Sequence, residues 1–194
     1  MPRSLVLLFV LMFGLAPSAS ARTTGADYAD APAPSLATVA KRMHETIRRD
    51  LAEAAAAMPA DEYAFRPAPE VRTFGQLIGH VINANLFFCS QVSAEKLRTS
   101  ENFEQVTEKA ALVKALDDSL AFCDRAYDAT TDSNFHQPVR VGPGVGMRST
   151  DTVRGAVLMF NMAHNNEHYG NVVVYMRLKG HVPPSTARSE KAKQ

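Results

Sequence analysis

The stretch "HNNEHYGNVVVYMRLKG", His164 to Gly180, limits most narrowly what this chain can become. It has the period of a helix, closes on a cationic turn and a glycine, and is followed by Pro183-Pro184, which cannot continue it. Steps of three and four from Val157 reach Asn161, His164, His168, Asn171, Tyr175 and Leu178, so both histidines extend a core-facing stripe. Two titratable rings turned inward need a partner element and a chemical reason.

Three more helical patterns supply partners. The first spans Ser35 to Met58, with Leu36, Val39, Met43, Ile47 and Leu51 on its apolar stripe, Ser35 as cap and Pro59 as stop; His44, among charged neighbours, is expected to face solvent. The second opens on Thr73 and Gln76, the spacing of a capping box, and runs to about Arg98 with Leu77, Val81, Ala84 and Phe88 inward. Asn102 and Gln105 offer a cap for the third, whose stripe is Val106, Val113, Leu116, Leu120, Cys123 and Tyr127. Asn134 to Thr150 holds too much Gly and Pro for a helix and reads as a strand pair or an ordered loop. The fourth helix then starts near Ser149 or Thr150. Four amphipathic helices without a central strand predict an all-α four-helix bundle, with this Gly/Pro-rich loop between helices three and four.

The two ends read differently. Residues 1–21 have a basic start at Arg3, an apolar run from Leu5 to Ala16 and a small-x-small site at Ala19-Ser20-Ala21, the build of a cleaved signal peptide. The run is too short for a stable membrane span, so the chain is expected to be exported, periplasmic or secreted. Residues 22–34 read as a flexible lead, 35–185 as the domain, and 186–194 as a disordered tail. Without Arg3 the basic and acidic residues balance, which gives no electrostatic case for nucleic acid. Export would permit a disulfide between Cys89 and Cys123, but cysteines on two helices read first as apolar packing groups.

The inward histidines carry the chemistry. His164 and His168, one turn apart, can hold the same ion, and His80 in "LIGHVINAN" borders the apolar face of the second helix. With helices two and four adjacent, the three make a facial metal site with open positions; the alternative is three separately satisfied core histidines. His164-Asn-Asn-Glu167-His168 also matches the inverted zinc-peptidase motif, yet the only later acidic residue is Glu190, so the downstream carboxylate ligand of those enzymes is missing. Glu167 is a weak candidate for a catalytic base and otherwise a rim carboxylate. Asn83, Asn161 and Asn165 could orient imidazoles or substrate, though such residues near a helix rim are ordinarily solvated. Tyr175 is expected in the core with its hydroxyl bonded, Arg177 at the helix C-terminus as a structural charge, and His136 and His181 as ordinary loop residues.

Together, "TFGQLIGHVINANLFFCS" and "HNNEHYGNVVVYMRLKGHVPPS" resemble the DinB family, also described as DinB/YfiT-like, across about Ser35 to Ser185. The resemblance implies a four-helix metalloprotein whose ligands fall on His80, His164 and His168, with zinc or nickel held near one end of the bundle. Asn171 stands where Gln often follows the glycine. Relatives include transferases and isomerases that use small bacterial thiols, which implies a metal-activated thiolate; export favours hydrolysis by activated water instead. The expected function is a metal-dependent hydrolase or transferase on a small substrate. The alternative is a non-catalytic metal- or ligand-binding envelope protein, and a homodimer is open to either.

Overall fold

The computed structural model describes residues 33–95, 101–143 and 148–194; the expected leader and nearly all of the lead lie outside these residues. Capping chemistry sets the helix starts. Ser35 Oγ accepts from the Thr38 amide at the head of α1 (Leu36–Ala57). Thr73 and Gln76 close the full capping box of α2 (Phe74–Val92) through reciprocal bonds of 3.2 and 2.9 Å. Then come α3 (Lys109–Asp128), the short α4 (Asp132–Phe135), the strands β1 (Pro138–Val141) and β2 (Thr150–Val153), α5 (Arg154–Leu178) and α6 (Pro184–Lys191). At the end of α5 the His181 amide bonds Met176 O and the Gly180 amide bonds Arg177 O, a Schellman closure that Gly180 permits with φ of 80°.

The four long helices form a ring in which α1 touches α3 and α5, and α2 touches α3 and α5. The bundle therefore has an α2–α5 groove and, on the opposite side, an α1–α3 groove. Its core divides into two apolar clusters. One holds Leu51, Phe74, Val81, Leu116 and Met176; the other holds Phe88, Phe122, Ala126, Val157 and Leu158. Between them along the helices runs a buried polar layer of His44, Asn85, Ser119, Asn161 and Asn165. Among the described residues no helix is long and apolar enough to cross a membrane.

Several expectations need correction. Cys89 and Cys123 are joined in a disulfide that ties α2 to α3 with Cα atoms 5.3 Å apart, so they are more than packing groups. The inward face of α1 is rotated: Leu36 and Met43 are exposed while Ala37, Ala40 and His44 are buried, because small alanines admit close approach and His44 finds a partner in Asp124. The same rotation on α5 leaves Asn171 and Leu178 outside and puts Asn165 and Val172 inside. Asn102 caps a 3-10 turn at Phe103–Gln105 rather than the third helix, which starts later, at Lys109. The fourth long helix starts at Arg154 because the β-branched Thr150, Thr152 and Val153 pair with Pro138–Val141, the strand-pair reading of that loop. The tail is ordered as α6, with proline at its first position and Arg188 ion-paired to Asp50 and Glu53 of α1. The second helix ends at Val92, short of the expected Arg98, because Ser93 turns extended as its C-cap.

Candidate metal centre

The α2–α5 groove holds His80 on one wall and His164 and His168 on the other. Four-residue spacing stacks the two α5 rings on one face, and the adjacency of α2 delivers the third. His164 Nε2 lies 3.2 Å from His80 Nε2 and 3.1 Å from His168 Nε2, and one ligand atom from each ring falls within 4.8 Å of the others. His168 is buried; His80 and His164 are half-buried at the groove. His164 and His168 sit in the middle turns of α5, and His80 in the second turn of α2.

Protonation shows what the cluster is suited to hold. His80 Nδ1 donates to Glu104 Oε1 at 2.8 Å; a carboxylate only accepts, so Nδ1 carries a proton, and in the neutral ring Nε2 is the atom with the lone pair. His164 Nε2 faces two neighbours and can aim a proton at only one, so protons alone leave one contact unmet. A cation accepts all three lone pairs at once. Burial, with His164 and His80 adding to it, pushes the His168 ring down to about 4, and burial followed by His80 lowers His164 as well. These α5 rings are thus held neutral, the form that ligates. Tetrahedral zinc with Zn–N bonds of about 2.0–2.1 Å separates its nitrogens by roughly 3.3 Å, close to the spacings present here. The residues fit a divalent ion.

Glu104 was missed at the level of sequence, where the turn carrying it read as a helix cap. Its other oxygen, Oε2, accepts from Arg72 Nε at 2.9 Å, and the Arg72 carbonyl accepts from Tyr175 Oη at 2.7 Å. Burial alone would raise the Glu104 carboxyl, but the bonds from Arg72 and His80 outweigh it and hold the group below the usual carboxylate range.

The remaining candidates separate. Asn161 and Asn165, read as solvated by default, are fully buried, and both donate to Asn85 Oδ1 at 2.9 Å directly behind the α5 histidines. Asn83 bonds Asn102 in the turn that carries Glu104. Glu167 is exposed and is not one of the converging groups, though its charge reaches His164. His136 is exposed, and His181 pairs with Glu62 at 2.6 Å. His44, expected in solvent, is 1% exposed in the α1–α3 groove.

A bundle of four long helices defines the fold class, and known proteins share it. The sequence profile of the DinB superfamily matches residues 43–172, and the chain belongs to that superfamily. It is similar to the uncharacterized protein YjoA of Bacillus subtilis, 23% identical over 141 residues that cover 71% of this chain and 85% of YjoA. Its fold is similar to a crystal structure of a DinB-like protein from Bacillus cereus, with a TM-score of 0.60 at 16% identity over 71% of this chain and 89% of that one. It is also similar to a mycothiol-dependent maleylpyruvate isomerase variant, with a TM-score of 0.54 at 14% identity over 74% of this chain and 61% of that one.

Proposed function

We propose that this protein is an exported, metal-dependent enzyme of the DinB superfamily that holds one divalent ion through His80, His164 and His168. The observation that carries the reading is the convergence of three Nε2 atoms from groove-lining rings. Among the described residues no fourth His, Cys, Asp or Glu joins the cluster, which supports a site with open positions over a closed structural one. When bound, the ion supplies a Lewis acid that polarises a substrate or lowers the pKa of a water or thiol.

The chain's own residues bind and orient. Glu104 keeps the proton of His80 on Nδ1, the Asn85–Asn161–Asn165 layer fixes the α5 wall from behind, and burial keeps the α5 rings unprotonated. The Cys89–Cys123 disulfide supports an oxidising compartment and therefore export. Such a compartment favours hydrolysis, with zinc or nickel as the ion. Thiol transfer is the second reading, and the fold likeness to the mycothiol-dependent isomerase favours it.

Screening the zinc-loaded protein against small ester, amide and thiol-conjugate substrates tests the enzyme reading. Turnover abolished by His164→Ala supports it. Stoichiometric zinc with no turnover on any of the three classes favours the non-catalytic binding protein.

A further inference from the structure

We propose that Glu104 is the positioning residue of the metal centre, held in place by a 3-10 turn that docks on α2 through Gly79; this inference rests on the metal-binding reading of the three histidines. The turn is Phe103–Gln105, and its attachment is specific. Asn83 Nδ2 donates to Asn102 Oδ1 at 2.8 Å, and Asn83 Oδ1 accepts from the Phe103 amide at 3.1 Å. Asn102 Oδ1 also accepts from the Glu104 amide at 3.1 Å, which closes the turn on itself. Gly79 sits directly beneath: a Cβ there would lie 2.3 Å from Phe103 O and 2.7 Å from the Glu104 amide nitrogen, so only glycine lets the turn come this close.

Gly79, His80 and Asn83 thus lie together on α2, and one stretch of helix supplies the ligand, the space and the clamp for its support. Arg72, anchored through its carbonyl by Tyr175, holds Glu104 Oε2, which leaves Oε1 to receive His80 Nδ1–H. The consequence is directional. An acceptor at Nδ1 orients the ring and turns Nε2 toward His164. Among the described residues His80 alone of the three histidines has a carboxylate within hydrogen-bond distance of its Nδ1.

Two readouts test the role. Competition titration with Zn2+ alone should show affinity falling in the order wild type, Glu104→Gln, Glu104→Ala, with about a 10- to 100-fold loss for alanine, and Gly79→Ala should weaken binding by displacing the turn. In the metal-free protein, long-range 1H–15N NMR should find His80 in the Nδ1–H tautomer in wild type and shifted toward Nε2–H in Glu104→Ala. Circular dichroism and the thermal midpoint check that each variant folds; if alanine does not fold, the isosteric Glu104→Gln decides. Wild type that binds Zn2+ no better than Glu104→Gln and Glu104→Ala overturns the positioning role while the metal centre stands. Loss of affinity with an unchanged His80 tautomer overturns it too. Wild type that binds no Zn2+ overturns both the role and the reading beneath it.

Discussion

On the α2–α5 side of the bundle, His80 gives its Nδ1 to Glu104 at 2.8 Å; on the α1–α3 side, His44 gives its Nε2 to Asp124 at the same distance. The two grooves therefore carry the same pair of groups in opposite orientation. His80 keeps its outer nitrogen free to reach across the groove. His44 spends that nitrogen on the carboxylate, and its Nδ1 is left buried without a hydrogen-bond partner. The His44 ring also stacks on Tyr127, with centroids 4.0 Å apart and planes 8° from parallel. The cleft beside it, about 310 Å³, is lined by Lys41, Arg48, Asp124 and Asp128, whose charges are paired with one another. A histidine beside a carboxylate thus keeps its Nε2 for the proposed metal site on one side and is a packed structural group on the other, and the difference is which nitrogen the carboxylate takes.

This contrast breaks most sharply under single substitution. His164→Ala removes the ring whose Nε2 lies within 3.2 Å of both other Nε2 atoms and is expected to weaken Zn2+ binding by more than about 100-fold, with the fold retained by circular dichroism. His44→Ala should do the reverse, leaving Zn2+ affinity unchanged while costing about 2 kcal/mol of stability through a cavity and a lost hydrogen bond, measured by urea unfolding. A His44 variant with impaired zinc binding would show that the grooves are coupled through the polar layer.

Acid sharpens the comparison on a smaller scale. Burial depresses His168, His164 and His44, so in the metal-free protein these rings stay neutral at a pH where the unfolded chain, with imidazoles near 6.5, already binds protons. Their stabilising contribution is complete above about pH 6.5 and is lost as the pH falls toward their folded values. For His168, whose folded value is about 4, the loss is on the order of 2 kcal/mol. Denaturant midpoints between pH 7 and pH 4 should fall in wild type and fall less in His168→Ala, and saturating zinc should move the decline to lower pH. The smallest effect belongs to the rim. Lys41→Ala breaks an exposed pair with Asp128 and should leave both the unfolding midpoint and the zinc affinity where they are.

What could be read from the chain was local. The four helices, the Thr73–Gln76 capping box and the glycine exit at Gly180 depend on residues a few positions apart, and so does the shared face of His164 and His168. His80 was legible because it borders an apolar stripe. Glu104 was not, because its partner is 24 residues earlier and the turn that aims it has the composition of a helix cap. His44 looked solvated because its sequence neighbours are charged, and only Asp124, 80 residues on, makes its burial favourable. Asn161 and Asn165 hid for the same reason: the side-chain amide of each donates to Asn85, on another helix. Polar residues enter a core when distant partners meet them, and hydrophobic period carries no record of those partners.

The central claim is that three histidines in one groove hold one ion. Metal content by mass spectrometry, after zinc reconstitution and desalting, compares the wild type with the His80→Ala, His164→Ala, His168→Ala triple variant. About one zinc per wild-type chain and none in the folded triple variant is the expected result. Equal zinc in the two proteins, whether near zero or stoichiometric, would contradict it.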